Sequence, residues 1–204
     1  MKSLEDLIIH LRHQGVLENP DIEKAFRRIN RADFVLPEFT SNPYGDFPLP
    51  IGWNQTISQP YTVAFMLNLL QIEPGQSVLD IGSGSGWTTA LLAAIVGSEG
   101  EVLGLERLPE LVSFGRGNLA KYPDLPARIH PSGPDPGMPG KKYDRILVSA
   151  SADHFPEALG NQLKNGGIMV IPVDHSIWTV RRTSEGLETK TVYGFSFVPL
   201  ILAD

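Results

Sequence analysis

The sequence predicts an α/β protein: a doubly wound, mostly parallel sheet, with helices ahead of it and antiparallel strands closing one edge. Three observations predict it. Short apolar runs at 77–81, 101–106, 127–131, 143–149 and 167–173 alternate with helix-length segments near 87–96, 109–121 and 155–163, the rhythm of strand, crossover and strand. The first run feeds Gly82-Ser83-Gly84-Ser85-Gly86, a turn whose glycines reach φ > 0 and leave no Cβ between main chain and ligand. Beyond residue 176 the pattern changes to runs at 177–182, 188–193 and 195–202 with a turn at Ser184-Glu185-Gly186, which predicts antiparallel edge strands.

The elements follow in order. Leu4, Leu7, Ile8 and Leu11 predict a helix over 3–14, and Ile22, Ala25, Phe26 and Ile29 a second over 20–31, with Pro20 at its start and Asn19 or Asp21 as cap. Pro37, Pro43, Pro48, Pro50 and Pro60 forbid long regular structure between 34 and 60. An ordered loop lying over something, a candidate lid, is expected there. Tyr61 to Leu70 reads as an amphipathic helix stopped by Glu73-Pro74-Gly75, after which the sheet begins.

Composition narrows the function. The 204 residues can bury the core of a single domain, and a formal charge of −6 argues against nucleic acid as the main partner. Without cysteine there is no disulfide, thiolate zinc site or cysteine nucleophile. His10 and His13, spaced i, i+3, read as solvated side chains, and no metal is expected. No apolar run approaches the ~20 residues of a membrane span, and residues 1–6 lack a signal-peptide core. A cytoplasmic protein, off the membrane and more often monomeric than oligomeric, is expected.

A dinucleotide fingerprint needs G-x-G-x-x-G, whereas here Gly86 follows Gly84 by two residues, favouring a ligand without pyrophosphate. The acid-x-Gly-x-Gly-x-Gly pattern from Asp80 resembles the first motif of the S-adenosylmethionine-dependent methyltransferases. Glu106 ends the next strand, where a doubly wound sheet places the acid that grips ribose hydroxyls. Asp80 either braces the loop or contacts the cofactor's amino acid portion. Trp53, Trp87, Tyr61, Met138 and Pro139 are open between stacking near adenine and ordinary packing.

More specific segments then accumulate: Arg31 to Val35, Tyr44 to Gly52, Gln55-Thr56-Ile57-Ser58-Gln59-Pro60, Tyr143 to Ala150, Gln162 to Gly167 and Phe197 to Leu200. Together they resemble, in order and over nearly the whole chain, the protein-L-isoaspartate O-methyltransferases. The resemblance implies a Rossmann-like sheet of the methyltransferase type in one domain, 1–204, with N-terminal helices and a substrate loop in 1–60 and the cofactor core in 61–204. It implies methyl transfer from S-adenosylmethionine to the α-carboxylate of L-isoaspartyl residues in damaged proteins and peptides. Ser58 corresponds to the active-site serine, against its ordinary use as an ST-turn or helix cap. Thr56, Ser149 and Ala150 are expected on the substrate, and Ile57, Gln59, Gly82, Ser83, Gly84, Gly86, Glu106, Arg107 and Gly133 on the cofactor. Two departures stand out. The family carries an aspartate for the adenine amino group where this chain has Gly133, with Asp135 two residues on between prolines, and it carries glycine where this chain has Asn54. A methyltransferase for another carboxylate or small molecule, or a cofactor-binding protein with little turnover, are the alternatives.

Overall fold

The computed structural model describes residues 1–200. Helix α1 (Leu4–His13) starts in a capping box in which Ser3 and Asp6 exchange hydrogen bonds, and it buries Leu7, Ile8 and Leu11. Helix α2 (Pro20–Arg28) is capped by Asn19, which accepts from the N–H groups of Asp21 and Ile22. It ends three residues earlier than expected because Asn30 caps a separate 3-10 turn over Arg31–Phe34. Phe26 of α2 meets Trp87 edge to face at 5.5 Å.

The proline-rich stretch folds into short pieces: a 3-10 turn at Pro37–Phe39 and a hairpin of β1 (Leu49–Gly52) and β2 (Gln55–Ile57). Helix α3 (Pro60–Leu70) then leads into the main sheet. Its strands are β3 (Ser77–Ile81), β4 (Glu101–Glu106), β5 (Ala127–Pro131), β6 (Tyr143–Val148), β7 (Leu163–Val173), β8 (Ser176–Arg182) and β9 (Leu187–Tyr193). Their spatial order is β5-β4-β3-β6-β7-β8-β9, with β5 through β7 parallel and β8 and β9 antiparallel. Helices α4 (Trp87–Val96), α5 (Pro109–Leu119) and α6 (Glu157–Gly160) make the crossovers. The chain winds outward from β3 to β5 and then returns to lay β6 on the other side of β3. Strand direction of winding reverses between β3 and β6, and a crevice at their carboxyl ends follows from that topology.

Two sequence expectations need correction. The helix expected over 155–163 is one turn, Glu157–Gly160, and β7 already begins at Leu163. Sheet pairing stops it: Gln162 O accepts from Tyr143 N at 2.8 Å and Leu163 pairs with Tyr143. The strand expected over 195–202 does not form in 195–200, and its last two residues lie outside the described ones. Gly194 turns the chain at φ +98°, Phe195 stacks on Phe65 at 5.1 Å, and the tail crosses to Ser151, whose N–H donates to Val198 while Leu200 donates back.

Candidate active site

The cleft at the β3/β6 switch point encloses about 1070 Å³, part of it open to solvent. Its floor is the glycine turn. Gly82 and Ser83 donate to Leu105 O at 2.9 and 3.0 Å, bending the chain toward β4, with φ of +78° and +50° at Gly82 and Gly84. Gly86 serves the other side of the turn: its Cβ would lie 3.1 Å from Gly115 O and from Ile129, so it lets α4 close on α5 and β5 and does not line the cleft.

Glu106 is 7% exposed and anchors this floor. Its Oε2 accepts from Gly84 N at 2.9 Å, and its Oε1 accepts from Arg107 N and Leu108 N at 2.8 and 3.0 Å. Three of the roughly four acceptor positions of a carboxylate are used, and the remaining one faces a cleft that Glu106 lines. Asp80 lies behind the turn, fully buried and outside the lining. Its Oδ2 accepts from Thr89 at 2.6 Å, while Oδ1 has no partner among the described residues. Burial pushes its pKa up to about 7, with Glu106 adding to the rise and the Thr89 hydrogen bond opposing it.

The opposite wall carries the Gln55–Ser58 segment, and it is organised by a residue whose role the sequence did not reveal. Arg31 is 1% exposed. Its guanidinium donates to the carbonyls of Pro43 (2.6 Å), Gly45 (3.2 Å), Phe47 (3.1 Å) and Ser58 (3.1 Å), and stands 5.2 Å over the Trp87 ring. Burial lowers its pKa to about 10, with Asp46 opposing, so it remains a cation at neutral pH. Asp46 takes the N–H of Tyr61 at 2.8 Å, capping α3, and meets His10 Nε2 at 3.1 Å. His10 is therefore a structural contact and not simply solvated; His13 is exposed.

Held in this way, Thr56, Ile57 and Ser58 line the cleft, as do Ser83, Arg107, Gly133, Ser149 and Ala150. The helix cap is Gln59, without a side-chain capping bond and outside the lining. The Ser58 hydroxyl has no hydrogen bond among the described residues, so its use as a cap or turn is not what the fold makes of it. Trp87 is core and Tyr61 stacks on Phe65. The sequence missed Ile51, Leu108 and the Val198–Leu200 wall.

The loop after β5 closes the cleft from a third side. A Cβ at Gly133 would meet nothing within 4 Å, and Asp135 lines the cleft nearby. The loop is pinned from behind by buried Gln162, which donates to Pro136 O at 2.7 Å and accepts from Met138 N at 2.8 Å. Among the described residues no cluster of His, Asp and Glu could hold a metal ion, and no helix is long and apolar enough to cross a membrane.

This geometry has counterparts. The model of the protein-L-isoaspartate(D-aspartate) O-methyltransferase (PCMT) family matches residues 2–203. A protein-L-isoaspartate O-methyltransferase of Thermococcus onnurineus is 42% identical over 199 residues, covering 94% of this chain and 90% of its own length. That of Methanopyrus kandleri is 40% identical over 207 residues, covering 98% and 92%. Among solved structures, a beta-aspartate methyltransferase (PCMT) of Plasmodium falciparum in complex with S-adenosyl-L-homocysteine superposes with a TM-score of 0.87 at 26% identity, covering 98% of this chain and 99% of that one. A match running through both walls of the cleft and the whole sheet leaves one conclusion: the chain belongs to the protein-L-isoaspartate(D-aspartate) O-methyltransferase family.

Proposed function

We propose that this protein transfers the methyl group of S-adenosylmethionine to the free α-carboxylate of L-isoaspartyl residues in damaged polypeptides, acting as a single-domain cytoplasmic monomer. The observation that carries the reading is the Ser58 hydroxyl, which lines the cleft without a partner among the described residues while Arg31 fixes its backbone.

The residues present fit the cofactor. Ser83 Oγ is buried, lines the cleft and lacks a partner, as expected of an atom whose partner is a ligand. The glycine turn would hold the amino acid and ribose portions, the last acceptor position of Glu106 a ribose hydroxyl, and Leu108 with the Gly133–Asp135 loop the base. When bound, the cofactor supplies an electrophilic sulfonium methyl group.

The chain's own work is then positioning. A carboxylate with a reference pKa near ~4 is ionised at neutral pH, so no general base is required. Ser58 donates a hydrogen bond that orients the acceptor oxygen, Thr56 and Ser149 hold the polypeptide on either side, and the hairpin excludes water. The resulting methyl ester, unlike the carboxylate, can lose its oxygen as methanol when its carbonyl is attacked. Attack by the neighbouring amide nitrogen then closes a succinimide that can reopen to aspartate.

The test is transfer of labelled methyl to two peptides differing only in L-isoaspartate or L-aspartate. Base-labile label in the isoaspartyl peptide alone is the expected result, and equal label in both, or none in either, overturns the reading. Ser58→Ala is expected to lower kcat about 10- to 100-fold, the worth of one hydrogen bond to a charged acceptor, with cofactor affinity unchanged.

A further inference from the structure

The β1–β2 hairpin turns through Gly52, Trp53 and Asn54, all with left-handed backbone at φ +91°, +51° and +56°. Such turns favour Asn-Gly or Gly-Gly, and a bulky side chain at positive φ is an outlier that costs free energy. Trp53 is nevertheless there, 51% exposed as a residue. It enters no aromatic pair among the described residues. A half-exposed indole on left-handed backbone is a costly choice for a turn, and strain of this kind collects where a ligand is engaged.

The surroundings say which ligand. The residues on either side of the turn, Ile51 and Gln55, both line the cleft. Ile51 is fully buried, and it sits so close to the glycine turn that a Cβ on Gly84 would come within 3.2 Å of its Cδ1. The hairpin is thus seated on the floor, while Gly52, Trp53 and Asn54 at its tip stand outside the lining. A cofactor held on the glycine turn would lie by Ile51, the seated end of the hairpin, and not by its tip. What passes across the mouth is the polypeptide that carries the acceptor carboxylate down to Ser58. We infer that Trp53 is a docking residue for the chain flanking the isoaspartyl residue, giving the cleft its preference for chain-borne acceptors over small ones. An indole suits this role, because its flat apolar face packs on peptide planes and on varied side chains at little cost in conformational entropy. This inference rests on the proposed function.

The experiment compares wild type with Trp53→Ser and Trp53→Gly on two acceptors: an isoaspartyl peptide with residues on both sides, and a blocked isoaspartyl residue with none. The expected result is a KM for the peptide raised about tenfold in both variants, with the blocked residue and S-adenosylmethionine affinity within about twofold of wild type. Trp53→Gly also keeps or raises the urea midpoint, since glycine accepts the left-handed backbone. A peptide KM unchanged in the variants overturns the docking role alone. So does an equal loss on both acceptors with weakened cofactor binding, which marks a distorted hairpin. Wild type that binds cofactor and labels neither acceptor overturns the proposed function, and the docking role with it.

Discussion

Two irregular segments face each other across the cleft, and they are held by opposite charges. The 43–58 wall is gathered by a buried cation, Arg31, that collects four carbonyl oxygens. The glycine-turn floor is gathered by a buried anion, Glu106, that collects three backbone N–H groups. Outside the short β1–β2 pairing neither segment satisfies its own backbone by helix or sheet bonds, so an ionic side chain stands in for the missing ladder. The difference is in reach. Arg31 binds carbonyls 12 to 27 residues away, whereas Glu106 binds its own two successors and one glycine 22 residues back. The cation therefore stabilises tertiary structure, and the anion shapes a local floor.

The comparison can be broken at its strongest point by Arg31→Ala. That change strands buried carbonyls and is expected to cost about 3 kcal/mol or more in urea unfolding. Arg31→Lys should recover only part of this, because an ammonium lacks the planar fork. A cost under about 1 kcal/mol would show that water can replace the guanidinium. Glu106→Gln turns an acceptor into an amide whose NH2 faces backbone donors. About 1–3 kcal/mol of stability is expected to go, with S-adenosylmethionine affinity, read by calorimetry, reduced about tenfold. If stability drops and affinity does not, Glu106 is a brace only.

The smallest effect lies behind the floor. The Asp80 carboxyl is raised to about 7 in the folded protein by burial first, with Glu106 adding to it, while in the unfolded chain it titrates near ~3.9. Between those values the folded state binds the extra proton, so this group's contribution falls as pH rises from about 4 to 7 and is flat above. Asp80→Asn should flatten that stretch of the stability profile and favour the variant at pH 8; an unchanged slope from urea midpoints would assign the titration elsewhere.

The sheet was legible because its strands are apolar runs with a period of their own, and the cleft floor because three alternating glycines have few other uses. Asn19 as a cap was readable for a related reason: its partners are local. Glu106 was readable as an acid at a strand end, but the three backbone N–H groups it gathers were not. What escaped reading depends on distant partners. Nothing in the run from 155 to 163 reveals that Gln162 O and Leu163 pair with Tyr143 on β6, or that the Gln162 side chain turns back to hold Pro136 and Met138. Arg31 sat in a recognisable segment, yet its role exists only once four carbonyls converge on it. Ser58 was picked out by the resemblance; the fold adds that its hydroxyl is left without an intramolecular partner among the described residues.

Val198, Pro199 and Leu200 form one wall of the cleft, joined to Ser151 by two backbone hydrogen bonds. Residues that follow the whole sheet in the chain are thereby part of a site whose other walls come much earlier. A nascent chain can fold its sheet and glycine turn and still have no finished pocket, and a protease that clips the molecule after Tyr193 would erase the pocket while sparing every strand. The pocket is finished only when the segment after the sheet has docked.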